Sequence, residues 1–188
     1  MFSVRQAKYK PPSSAWSDHR ADTTCFATNI KLAIAEGTFV WRNVKSFEYS
    51  PGKSVTRMKR GYIRDSGFLH FLRRVNDHDA LLQNPKTGAT FEGVVIEEIG
   101  QGLQAVETTP WDFSFFRTRN GAEVDLVLTS SNNIHIPVEI KFGRSTKKSQ
   151  LISLSRFIEQ NNSPYRLIIN QSDDVKLLKT NILQISAS

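Results

Sequence analysis

The residues best suited to chemistry lie between Phe115 and Gly143, in the stretch FFRTRNGAEVDLVLTSSNNIHIPVEIKFG. Two alternating apolar runs surround Asp125 and carry Glu139-Ile140-Lys141. Side chains at i and i+2 of a strand share a face, so Glu139 and Lys141 project together, and a hairpin brings Asp125 beside them. A hard divalent cation takes one or two carboxylates and keeps positions for water and phosphate. Asp125 and Glu139 can supply those oxygens, and the Ile140 carbonyl can add a third. A metal there lowers the pKa of a bound water and shields phosphate charge. Lys141 can orient that water or stabilise charge developing on phosphate. The chemistry so served is phosphodiester cleavage with Mg²⁺ or Mn²⁺. The alternative is a set of solvated cross-strand ion pairs, the common state of Asp, Glu and Lys in strands. Against it, the acids are embedded among Val124, Leu126, Leu128, Ile136, Val138 and Ile140, where unpaired charge is costly.

A third acid comes from upstream. The helical spacing of residues 88–104, GATFEGVVIEEIGQGLQ, gathers Phe91, Val95, Ile96, Ile99 and Leu103 on one face. Glu92 falls near the middle of that face and can meet the sheet as an accessory ligand or water-orienting acid. It equally suits the first turn of a helix, where the dipole favours a carboxylate. Glu98 lies on the flank and is the next candidate. Glu97 points away and reads as a solvated helix residue.

The elements that must position these groups fall into three segments. Residues 1–35 are weakly specified, with Pro11-Pro12-Ser13-Ser14 and a weak helical stretch at Ile30–Ala35. Residues 36–75 suggest a strand–turn–strand, TFVWRNV and SVTRMKRGYI, then a short helix at Ser66–Arg73. Residues 76–188 form the main unit. After a loop at Asn84–Gly88 come a helix near 89–103 and strands near 113–119, 122–128 and 134–142, with Asn120-Gly121 as a hairpin turn. A helix near 147–161 stops at Asn161-Asn162-Ser163-Pro164. A strand near 165–170 and a short one near 181–186 complete the chain. The order αβββαβ predicts an α/β domain, a mixed sheet flanked by helices.

The net charge of +7 is unevenly spread. Lys53, Arg57, Lys59 and Arg60 begin a basic stretch that continues to Arg74, and Arg144, Lys147 and Lys148 follow the Glu139–Lys141 strand. A basic rim around an acidic centre fits a nucleic-acid substrate; an ordinary solvated surface is the alternative. Arg117 and Arg119 can pair with Glu123 or Asp125 across the hairpin. Lone Cys25 excludes a disulfide framework and a Cys-based metal site, and the four histidines show no ligand spacing. No segment is apolar enough to span a membrane, and the N-terminus has no apolar signal core, so a cytoplasmic protein is expected. Gly52-Lys53-Ser54 is not an ATP site: the loop's first glycine would stand where Phe47 is, and without it the backbone cannot wrap phosphates. Ser50-Pro51-Gly52-Lys53 reads as a turn.

The order Gly88-x-x-x-Glu92, Asp125, Glu139-x-Lys141 resembles the PD-(D/E)xK nuclease superfamily. IRDSGFLHFL (Ile63–Leu72), LLQNPKTGATFEGVVIEEI (Leu81–Ile99) and the Phe115–Gly143 stretch together resemble, over about residues 36–188, a family known mainly as a domain of unknown function. That family forms the C-terminal part of many prokaryotic AAA+-type ATPases. The resemblance implies a restriction-endonuclease-like αβββαβ core preceded by a small winged-helix-like remnant whose wing is the basic hairpin. It implies Asp125, Glu139 and Glu92 as metal ligands, Lys141 as the water-orienting cation, DNA as the nucleic acid, and an AAA+ ATPase domain or a second copy as partner. Catalysis does not follow from it. A non-catalytic regulatory module of such an ATPase, or a truncated remnant of one, stands beside the nuclease reading. The chain departs from the superfamily at Val124, where a Pro precedes the acid, and at Leu154, where exonuclease-type members carry an aromatic four residues after a Gln such as Gln150. The ATPase itself is missing.

Overall fold

The alternating and helical patterns resolve, in a computed structural model that describes residues 31, 33–47, 59–106, 109–118, 121–145, 148–161 and 163–187, into strands and helices in this order. After a helical stretch at residues 33–37 come strands β1 (Trp41–Ser46) and β2 (Arg60–Ile63), then helices α1 (Ser66–Leu72), α2 (His78–Gln83) and α3 (Thr87–Val106). Strands β3 (Asp112–Arg117), β4 (Glu123–Thr129) and β5 (His135–Ile140) follow, then α4 (Lys148–Asn161), β6 (Arg166–Asn170), β7 (Lys176–Lys179) and β8 (Ile182–Ser186). The anticipated αβββαβ order is present as α3-β3-β4-β5-α4-β6. Helix α2 and strand β7 are additions: HDALLQ follows an Asp77 N-cap whose side chain accepts from the Ala80 N–H, and KLLK pairs antiparallel with β8 at the sheet edge. Its lysines suit an edge strand, because charge there discourages further pairing.

The strands form one mixed sheet in the order β2-β1-β3-β4-β5-β6-β8-β7. The β3–β4 and β4–β5 hairpins are antiparallel, whereas β5–β6 and β6–β8 are parallel. The β1–β2 hairpin, expected as a small element ahead of the main unit, is continuous with the sheet. Strand β1 pairs parallel with β3 at Lys45–Ser114 and Ser46–Phe115, extended by the Phe47 N–H donating to the Phe115 carbonyl at 2.7 Å. Much of the basic loop between the two strands, with the expected turn at Ser50–Lys53, lies outside the described residues.

Two apolar layers cover the sheet. Val95 and Ile96 of α3 pack with Val44, Phe115, Leu126 and Val138. Leu154 and Phe157 of α4 pack with Phe116, Val124, Val127 and Ile168. Leu154 is thus a fully buried core residue, as is Val124; each contributes roughly 1.5–3 kcal/mol of burial free energy. Two glycines of α3, seven residues apart and so on one face, let the hairpin approach. A Cβ on Gly93 would lie 3.1 Å from the Tyr62 ring, and one on Gly100 would lie 3.2 Å from the Arg42 guanidinium. Among the described residues no helix is long and apolar enough to cross a membrane.

Candidate metal centre

The β4–β5 register sets Leu126 opposite Val138, which carries Asp125 to the level of Glu139. Alternation then explains the burial. Val138 and Ile140 enter the α3-side core, and Glu139 and Lys141 project from the other face of the strand. Asp125 and Glu139 are each only 5% exposed. Asp125 Oδ2 accepts from the Ile140 N–H at 2.9 Å and from Lys141 Nζ at 2.9 Å. The same Nζ lies 3.1 Å from Glu139 Oε1. One ammonium therefore bridges two buried carboxylates. The second oxygen of Glu139, Oε2, is buried with no hydrogen-bond partner.

The electrostatics follow from this geometry. Burial, and next the charge of Asp125, push the Glu139 carboxyl well above its ordinary range, with Lys141 opposing. Burial would lower the Lys141 pKa, but Asp125 and Glu139 outweigh it and the net shift is upward. Two carboxylates drawn to one cation are a donor set that suits a hard divalent ion, and the partnerless Glu139 oxygen has room in its coordination for one. Lys141, with 38% of its side chain exposed, has a route to solvent if a metal takes its place.

Glu92 is not part of this bridge. Its Oε1 accepts from the Tyr62 hydroxyl at 2.5 Å and pairs with Arg60 Nη1 at 3.3 Å. It is near enough that Asp125 and Lys141 act on it: burial first, then Asp125, raise its pKa, while Tyr62, Arg60 and Lys141 lower it. Among the described residues no three Asp, Glu, His or Cys side chains form a ready-made metal cluster.

The basic residues are dispersed. Lys59 is exposed ahead of β2. Arg60 turns inward, pairing with Glu92 and Glu123 and lying 4.5 Å over the Phe115 ring. Arg144 is exposed and 3.2 Å from Asp173. Lys53, Arg57 and Lys147 lie outside the described residues, and of Lys148 only the backbone, at the start of α4, is described. Arg117 approaches Glu123 at 3.7 Å; Arg119 is outside the described residues.

Glu97 corrects the helical-wheel reading. It is 4% exposed, gripped by Arg42 Nε at 2.6 Å and by Arg64 Nε and Nη2 at 2.8 and 2.7 Å. Burial alone would raise its pKa, but hydrogen bonds from Arg42, Arg64 and Gln101 hold it down to about 2. Glu98, the reserve candidate, is exposed and takes no part. Tyr62 and this arginine clamp are the site-shaping residues that sequence reasoning missed. A cleft of about 590 Å³, lined by Lys45, Phe47, Asp112, Phe113 and His135 among others, opens at the far ends of β3, β4 and β5, away from Asp125.

A family profile described as "Domain of unknown function (DUF4143)" matches residues 87–187. Uncharacterized proteins of Mycobacterium bovis and Mycobacterium tuberculosis are each 35% identical over 105 residues, which is 56% of this chain and 21% of the relative. The chain thus spans about a fifth of the length of the curated relatives it matches. Among solved structures, an assembly of Thermococcus gammatolerans McrB AAA+ hexamers with bound McrC contains a chain similar over 53% of this one and 27% of its own length, at 10% identity and a TM-score of 0.38.

Proposed function

We propose, for a chain that belongs to the DUF4143 family of domains of unknown function, a cation-assisted site acting on nucleic-acid phosphodiesters within a restriction-endonuclease-like core. The observation that supports it is the single ammonium of Lys141 shared by Asp125 and Glu139 at 2.9 and 3.1 Å, beside a buried carboxylate oxygen with no partner. Asp125 and Glu139 would hold Mg²⁺ or Mn²⁺, which when bound supplies a water of lowered pKa and neutralises phosphate charge. Asp125 is held in place by the Ile140 N–H, so its orientation needs no reorganisation. Lys141 would then face the phosphate or orient the attacking water. The net charge of +7 favours a polyanion, and DNA is the substrate proposed. A cytoplasmic module of an AAA+-type ATPase, or a self-associating one, is the proposed setting; relatives about five times longer than the matched segment leave room for such a partner in the same polypeptide.

One observation favours a second reading, a non-catalytic module of such an ATPase: Lys141 already pairs with one oxygen of each carboxylate, and Glu92 is taken up by Tyr62 and Arg60. Thermal unfolding with Mn²⁺ or Mg²⁺ separates the two. A metal that binds only the native state stabilises it by about 2.7 kcal/mol at a hundred times its Kd. The nuclease reading expects a rise in Tm that Asp125→Asn abolishes, together with metal-dependent DNA cleavage that Glu139→Gln removes while leaving binding intact. An unchanged Tm in both proteins, with no cleavage, leaves the non-catalytic module.

A further inference from the structure

Strand β2 sends two side chains onto Glu92, and both end on the same atom. The Tyr62 hydroxyl donates to Glu92 Oε1 at 2.5 Å, and Arg60 Nη1 is 3.3 Å from that oxygen. A carboxylate oxygen has two lone pairs, and two donors fill them. Arg60 is fixed from behind as well, by its pairing with Glu123 and its position 4.5 Å over the Phe115 ring. Tyr62 rests on Gly93, where a side chain would crowd it. Glu92 is thus held by the hairpin while lying within electrostatic reach of Asp125 and Lys141. The Arg60 charge further opposes any divalent cation approaching Glu92. The hairpin is also anchored separately, by Arg42 and Arg64 on Glu97, so its docking does not depend on the contact to Glu92 alone.

We infer that Tyr62 and Arg60 form a latch that keeps Glu92 off the Asp125–Glu139 pair, and that opening it gives a bound cation its third carboxylate. The inference rests on Asp125 and Glu139 being a cation centre. A hydrogen bond to a charged group is worth enough to change an affinity by about tenfold or more, which sets the size of the effect.

The test is Mn²⁺ titration of the full chain, read by calorimetry and by water-proton relaxation. Tyr62→Phe/Arg60→Gln should bind Mn²⁺ about tenfold more tightly than wild type, and adding Glu92→Gln should cancel the gain. Tyr62→Phe alone retains the ring that packs against Gly93; it should give a smaller gain, also cancelled by Glu92→Gln. Wild-type binding that is lost in Asp125→Asn but unchanged or weakened in both latch variants overturns the latch and leaves the centre standing. Absence of Mn²⁺ binding in wild type and latch variants alike overturns both. Binding that appears only in the latch variants, and only with Glu92 present, supports the latch in its strongest form.

Discussion

Glu97→Gln removes one negative charge from between two arginines and changes almost no volume, so its effect isolates the ion pairing. The Glu97 carboxyl sits at about 2 against an ordinary 4.5, a drop of roughly two and a half decades in proton affinity. At about 1.4 kcal/mol per decade, the pairing stabilises the fold by about 3 kcal/mol at neutral pH. The arginine side chains are 18% and 24% exposed, and partial solvation discounts this to about 2 kcal/mol. For a chain of this size each kcal/mol moves Tm by roughly 2–4 °C, so Glu97→Gln should melt about 4–8 °C lower at pH 7. The sign of the pH dependence is fixed: a carboxyl lowered by folding contributes fully above its ordinary value and progressively less as pH falls from about 4.5 toward about 2. Thermal unfolding by circular dichroism at pH 7, 4 and 3 should therefore show the gap between wild type and variant closing with acid. A gap that is absent at pH 7, or that stays constant down to pH 3, refutes the account of Glu97 as a buried anchor.

Glu139→Gln should behave oppositely. A carboxyl raised by folding costs stability once pH exceeds its ordinary 4.5, so the metal-free variant should be more stable than wild type at pH 8 and indistinguishable near pH 4, as denaturant titrations can show. Gly61→Ala should destabilise the hairpin by about 1–3 kcal/mol, because its new Cβ would overlap the Trp41 indole; a blue-shifted, unperturbed Trp emission with unchanged Tm would contradict the packing. If the basic surface tracks phosphates, charge reversal at Lys147 and Lys148 should flatten the salt dependence of DNA affinity in fluorescence anisotropy. An unaltered slope would remove these lysines from the interface.

The convergence of Asp125, Glu139 and Lys141 was legible because it depends on local rules: alternation along β5 and a short hairpin from β4. The α3-β3-β4-β5-α4-β6 order was legible for the same reason, since each element announces its own period. Glu97 was not. On a helical wheel it faces away from the apolar stripe, and its partners Arg42 and Arg64 lie 55 and 33 residues earlier in sequence. Nothing nearby says that a hairpin will cover that face of α3. Tyr62 was missed for a related reason: in RGYI it reads as an ordinary strand aromatic, and its meeting with Glu92 depends on how β2 docks. Strand β7 escaped because KLLK has too few residues for alternation to register, and α2 because its pattern is only six residues long.

The parallel ladder between β1 and β3 also shapes how the molecule comes together. It joins Lys45 to Ser114 and Ser46 to Phe115, closing a loop that contains β2 and three helices, whereas β3, β4 and β5 meet across short turns. Closing long loops costs chain entropy before any contact repays it, and non-local pairing slows folding. The central hairpins should therefore assemble first, with β1 and β2 arriving last. Because β1 carries Trp41, this late step has a built-in reporter: a slow fluorescence phase in refolding, lagging the far-ultraviolet signal. The same order runs backward in the native state, where amides of β2, paired on one side only by β1, should exchange with solvent ahead of those in β4 and β5.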